Sequence, residues 1–105
     1  MTDILARLEA TILNRRTADP ATSYIAELSA KGRAKIAQKV GEEAVETVIA
    51  ALSGNNADLT GEAADLMFHL MILLADAGLC LGDVLAELDR RDGVSGLKEK
   101  ASRPK

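Results

Sequence analysis

Apolar positions recur at three- and four-residue intervals along nearly the whole chain, with no sustained alternation of apolar and polar residues. That period is helical rather than extended. Ile4, Leu5, Leu8, Ile12 and Leu13 mark a first helix that ends at Asp19-Pro20. Tyr24, Ile25 and Leu28 mark a short second helix that stops near Lys31-Gly32. A long helix follows from about Ala34 to Leu52 and is broken at Gly54-Asn55-Asn56. A second long helix runs from about Leu59 to Ala77 and stops at Gly78. The last starts near Gly82-Asp83 and carries Val84, Leu85 and Leu88, after which Gly93 and Gly96 break the tail. The pattern predicts an all-α chain of five helices. Its short central connection folds the two long helices into an antiparallel hairpin.

Around those two helices the polar residues are not scattered. At 100° per residue, with Lys39 at the origin, Glu43 falls at about 40°, Glu46 at about 340° and Glu42 at about 300°. Val45, Val48, Ile49 and Leu52 lie on the opposite side. On the second long helix, with Glu62 at the origin, Asp65 falls at about 300°, Asp76 at about 320° and His69 at about 340°. All other positions from Ala63 to Ala77 are apolar. A helix apolar nearly all round is a buried helix. Charges along its edge cost free energy unless they are paired or metal-bound.

The depths agree as well. Counted from the turn at about 1.5 Å per residue, Glu46 lies about 14 Å and Glu43 about 18 Å along one helix. Glu62 and Asp65 lie about 10 Å and about 15 Å along the other. Facing stripes bring four carboxylates into one band. Such a cluster repels itself and calls for a divalent cation, and all-oxygen ligation selects Mg²⁺ or Mn²⁺. Blander readings account for the same residues singly. Glu42, Glu43 and Glu46 also describe a solvated face, and Glu62 also suits the positive end of its helix dipole. His69 also suits a hydrogen-bonded core position, and Asp76 a solvated helix end. Asp65, among apolar neighbours, resists such a reading.

Composition narrows the class further. The 105 residues make one domain, 1–105. The hydrophobic fraction is 48% but the aromatic fraction only 2%, so the core is aliphatic and an all-β fold is disfavoured. Thirteen basic against sixteen acidic residues leave a net charge of −3, which argues against a nucleic-acid partner. The basic run Lys31, Arg33, Lys35, with Lys39 beyond it, still suits a small phosphate ligand. A single cysteine, Cys80, allows no internal disulfide and no multi-cysteine metal site, as in a reducing, cytoplasmic setting. The N-terminus lacks the basic start of a signal peptide. The longest apolar run, Leu70 to Ala75, is far short of the roughly 20 residues of a membrane span.

Two blocks carry a resemblance. Lys39-Val40-Gly41-Glu42-Glu43-Ala44-Val45-Glu46, followed by Glu62-Ala63-Ala64-Asp65-Leu66-Met67-Phe68-His69-Leu70, resembles the all-α nucleotide pyrophosphohydrolases of the MazG-like superfamily. Their signature is Glu-Glu-x-x-Glu, a gap, then Glu-x-x-Asp. Glu42, Glu43, Glu46, Glu62 and Asp65 fill its places across a gap of 15 residues. Ser23-Tyr24, Lys31-Gly32 leading to Lys35-Ile36, Asp65 to Leu74 with His69, and Lys98 to Pro104 narrow the resemblance to the phosphoribosyl-ATP pyrophosphohydrolases of histidine biosynthesis. Phe68, where that family leads one to expect Tyr, and Gly61 are small departures. The resemblance implies a helical bundle completed by homodimerisation. It implies hydrolysis of the α–β phosphoanhydride of phosphoribosyl-ATP to phosphoribosyl-AMP and pyrophosphate, with a separate cyclohydrolase acting next. The metal, Mg²⁺ with Mn²⁺ as the alternative, is expected on Glu43, Glu46, Glu62 and Asp65. Glu42, Glu43 and Glu46 are the expected catalytic acids, and Glu42 is the candidate base. Lys39, Lys35, Arg33 and Lys31 are the expected phosphate contacts. A house-cleaning hydrolase of noncanonical nucleoside triphosphates shares the motif, and a non-enzymatic helical module shares the periodicity.

Overall fold

The computed structural model describes residues 2–94 and 96–103, and these fold as six helices without a strand. In chain order they are α1 (Thr2–Arg15), α2 (Tyr24–Lys31), α3 (Arg33–Ser53), α4 (Asn56–Asp76), α5 (Leu81–Arg91) and α6 (Gly96–Ser102). The all-α expectation and the long antiparallel pair α3–α4 hold. The count of five helices does not, because α6 forms beyond the glycines expected to break the tail. Gly93, at φ +79°, makes the turn. Gly96 then occupies the first position of α6, ahead of the helix formers in LKEKA. Pro104, part of the C-terminal resemblance, lies outside the described residues.

Local chemistry sets each boundary. Ser23 caps α2, its hydroxyl accepting from the Ala26 amide at 3.2 Å. Gly32, at φ +96°, then turns the chain from α2 directly into α3, a conformation that needs glycine. Gly54 closes α3 in the left-handed region at φ +79°. Asn55 opens α4 by accepting from the Asp58 amide at 3.1 Å. Because that cap sits so early, α4 starts at Asn56, before the Leu59 at which the apolar pattern begins.

The core is aliphatic and lies at one end of the hairpin. Ile12 of α1, Ile25 and Leu28 of α2, Ile36 near the start of α3, and Met71, Ile72 and Ala75 near the end of α4 form one buried cluster. Fully burying a side chain the size of Ile12, Ile36 or Ile72 stabilises the fold by about 1.5–3 kcal/mol each. Asp76 is not the solvated helix end suggested by its sequence position. It pairs with Arg33 Nε at 2.5 Å and with Arg16, just past the end of α1, at 3.7 Å, linking the start of α3 and the segment after α1 to the end of α4.

Away from that core the hairpin projects outward. The stripe of α3 turned inward is Ile36, Glu43 and Ala50. Its apolar residues Val45, Val48, Ile49 and Leu52 face outward and are 58–83% exposed. The expectation that α4 is buried nearly all round is also corrected, because Met67 and Leu70 are exposed. One chain has too few helices to surround it. No helix among the described residues is long and apolar enough to cross a membrane.

Candidate metal and active site

Midway along the hairpin the two acidic stripes meet. Glu43 from α3 and Glu62 and Asp65 from α4 each bring a carboxylate oxygen to within 4.8 Å of the other two. Glu43 is buried at 8% exposure, Glu62 is half-buried and Asp65 is exposed, so the cluster opens to solvent on one side. Glu46, the fourth expected ligand, is exposed and is not among the three carboxylates that meet, but its charge acts on both Glu43 and Glu62. When all are ionised no donor exists among them. Glu43 Oε2 and Glu62 Oε2 are accordingly buried without a hydrogen-bond partner.

The electrostatics follow from this crowding. Burial, then the adjacent Glu46 carboxyl, pushes the pKa of Glu43 above its ordinary value. The same two causes, in the same order, raise Glu62. Two buried, partnerless carboxylate oxygens held apart from bulk water cost the metal-free fold stability. The cluster could hold a divalent cation, whose charge would answer the one these carboxylates carry. The donor set is all oxygen, as Mg²⁺ and Mn²⁺ require.

Two further contacts hold this geometry: Thr47, which the sequence pattern does not single out, and His69, which is the hydrogen-bonded core histidine its sequence setting suits. The Thr47 hydroxyl lies 2.7 Å from the carbonyl of Glu43 and 3.2 Å from the carbonyl of Glu62. It thus bridges the backbones of two cluster residues across the helix pair. The only sequence signal is a threonine inside a helix, a type that often bonds back to the preceding turn. His69 is buried. Its Nδ1 stands 2.7 Å from the carbonyl of Asp65 and its Nε2 stands 2.8 Å from the Tyr24 hydroxyl. Burial raises the Tyr24 pKa above its usual value, with Lys39 opposing and Glu43 reinforcing the shift.

The remaining expected residues are distributed unevenly. Glu42 is exposed, takes hydrogen bonds from Gln38 at 2.7 Å and Lys39 at 3.2 Å, and has its pKa lowered by those two donors in that order. Lys39 Nζ lies 3.9 Å from Glu43, and its pKa is raised chiefly by the Glu42 hydrogen bond. Lys35 acts on Glu42 through its charge. Lys31 pairs with Glu27 at 3.1 Å within α2, and Arg33 is held by Asp76. Of the four basic candidates, Lys39 is the one in ion-pair contact with a cluster carboxylate.

A family model described as phosphoribosyl-ATP pyrophosphohydrolase matches residues 5–92 of the chain. A phosphoribosyl-ATP pyrophosphatase of Rhizorhabdus wittichii is 69% identical across all of the chain and 99% of that relative. Proteins of the same name from Novosphingobium aromaticivorans and Zymomonas mobilis are 65% and 57% identical, over 96% and 98% of the chain and 94% and 96% of their own lengths.

Proposed function

The chain belongs to the phosphoribosyl-ATP pyrophosphohydrolase family, and from that membership we propose that it hydrolyses phosphoribosyl-ATP to phosphoribosyl-AMP and pyrophosphate, the second step of L-histidine biosynthesis. The observation that carries this reading is the Glu43–Glu62–Asp65 cluster with its two buried, partnerless oxygens. Charge of that kind suits a cation that in turn receives a polyphosphate.

Glu43, Glu62 and Asp65 hold the divalent ion, Mg²⁺ or Mn²⁺, with Glu46 completing the carboxylate set from α3. Such an ion, when bound, neutralises phosphate oxygens and polarises the anhydride to be cleaved. The protein supplies position and charge rather than a covalent nucleophile. Glu42 orients the attacking water. Its donors Gln38 and Lys39 keep it ionised, able to accept a hydrogen bond from water but weakened as a proton acceptor. Lys39 is placed to answer the substrate's phosphate charge beside the cluster, and Lys35 adds to the positive field.

The chain works as one domain, as a homodimer and in the cytoplasm. The outward face of α3, with Val45, Val48, Ile49 and Leu52 exposed, supports the dimer, since a second copy would remove it from water. The test of the activity is direct: phosphoribosyl-ATP with Mg²⁺ and detection of released pyrophosphate, against a panel of deoxynucleoside triphosphates. Turnover of phosphoribosyl-ATP with little on the panel is the expected result. The reverse preference overturns the reading.

A further inference from the structure

The chain has one tyrosine, one phenylalanine, one histidine and no tryptophan. All three rings are in mutual contact at the edge of the carboxylate cluster. Tyr24 and Phe68 stack with centroids 6.4 Å apart and planes 24° apart. His69 meets both edge-on, at 5.7 Å from Tyr24 and 5.3 Å from Phe68. Phe68 and His69 are drawn toward the core, yet Tyr24 is 46% exposed.

That exposed ring is not free to move. The Asp65 carbonyl can only accept, so the proton of the neutral His69 sits on Nδ1. Nε2 is left with a lone pair, which accepts the Tyr24 O–H at 2.8 Å. Both ring nitrogens are used, and the chain of bonds runs from Tyr24 on α2 to the backbone of Asp65, itself a cluster carboxylate. The charges of Lys39 and Glu43, an expected phosphate contact and a cluster carboxylate, both act on the Tyr24 hydroxyl, as do those of Glu27 and Lys31 on α2. A rigid aromatic face half open to water, fixed beside a phosphate-directed centre, matches a ligand with a flat uncharged part joined to a charged one.

We propose that Tyr24 is the platform on which the purine of the nucleotide stacks, and that His69 is a positioning residue that holds the ring there through its hydroxyl. This rests on the reading of the site as a hydrolase of phosphoribosyl-ATP, and it adds the contact that holds the base.

With no tryptophan present and a single tyrosine, the tyrosine emission of the protein comes from Tyr24 alone, and a base stacked on the ring should quench it. Titration of the Mg²⁺-loaded protein with AMP should quench this emission saturably, whereas pyrophosphate, which carries the charge without the base, should leave it nearly unchanged. In kinetics on phosphoribosyl-ATP, Tyr24→Leu should raise KM by roughly tenfold, the order of a lost base–aromatic stack, with kcat and the Mg²⁺ requirement little changed. Tyr24→Phe, which keeps the ring and deletes only the bonded hydroxyl, and His69→Leu should each raise KM severalfold. The double variant should be no worse than either alone, because both cut the same bond. His69→Gln, whose amide oxygen can still accept, should recover most of the loss. Equal quenching by pyrophosphate, or an unchanged KM in folded Tyr24→Leu, overturns the proposal. Quenching by AMP without turnover of phosphoribosyl-ATP keeps the platform and removes the substrate reading, so the two fail separately.

Discussion

The hydroxyl of Thr47 on α3 shares its single proton between the backbone carbonyl of Glu62 on α4 at 3.2 Å and the carbonyl of Glu43 at 2.7 Å. It ties the two helices at the level where their carboxylates repel one another. Thr47→Val keeps the branched shape and deletes the tie. The expected loss in urea denaturation of the metal-free protein is about 1 kcal/mol, the usual net contribution of one such hydrogen bond. The Mg²⁺ concentration for half-maximal activity should rise severalfold, and Thr47→Ser should restore both. A Val variant with unaltered Mg²⁺ dependence removes Thr47 from the support of the site.

Asp65→Ala and Glu46→Ala should each lower Mg²⁺-dependent turnover by at least roughly a hundredfold, since the charge neutralisation supplied by such an ion amounts to several kcal/mol. Circular dichroism should show unchanged helix content. Without metal, both variants should melt at or above the wild-type temperature, because one repelling charge is gone. Full activity in either variant contradicts the assigned ligand set.

The same repulsion fixes the sign of a pH effect. Glu43 and Glu62 have folded-state pKa values raised above 4.5 by burial and by Glu46. Their contribution to stability is therefore fully present below that value and is lost as pH rises through the elevated folded values. Metal-free protein should lose melting temperature as pH climbs from 4.5 toward neutrality, and saturating Mg²⁺ should flatten the slope. Glu87 moves in the opposite sense and in another window. Its bonds to Arg90 and Arg91 lower its pKa to about 2, so what it contributes is lost only in stronger acid. A melting temperature that rises with pH over the upper window, without metal, contradicts the crowded-carboxylate account.

Lys39 pairs with Glu42 and Glu43 from one turn earlier on α3. Were it only a surface ion-pair partner, Lys39→Met would leave turnover unchanged. As a phosphate contact, its loss should lower kcat/KM by roughly tenfold or more, each tenfold corresponding to about 1.4 kcal/mol. Steady-state kinetics on the folded variant decides between these outcomes.

Charge placed on the outward face of α3 tests assembly. Wild-type protein should sediment as a dimer at micromolar concentration, and Val48→Glu with Leu52→Glu should shift it toward monomer while the helices persist. A wild-type monomer at high micromolar concentration contradicts the dimer.

Helical period was enough to place α1 to α5, since glycine, proline and capping residues punctuate it. It missed α6 because a glycine reads as a breaker even where it occupies a first helical position, and there it costs little. The stripes also located Glu43, Glu62 and Asp65, because spacing along a straight helix determines which residues share a side. Which side turns inward is a different matter. Val45, Val48, Ile49 and Leu52 look like core by hydrophobicity, yet the hairpin buries Glu43 instead. Contacts such as Thr47 to Glu62, Tyr24 to His69 and Arg33 to Asp76 join separate elements, and no local pattern encodes them.

The two-residue link between α3 and α4 also bears on how the protein reaches its native state. All four acidic side chains at the centre lie between positions 43 and 65, and closing so short a segment costs little chain entropy. Contacts this close in sequence form early in folding. On this order of events the hairpin closes against its own charge, and α1 and α2 then bury Ile12 and Ile25 on it. Magnesium present during refolding should therefore act chiefly on the folding arm of the chevron, speeding the search itself, and should slow unfolding to a lesser degree.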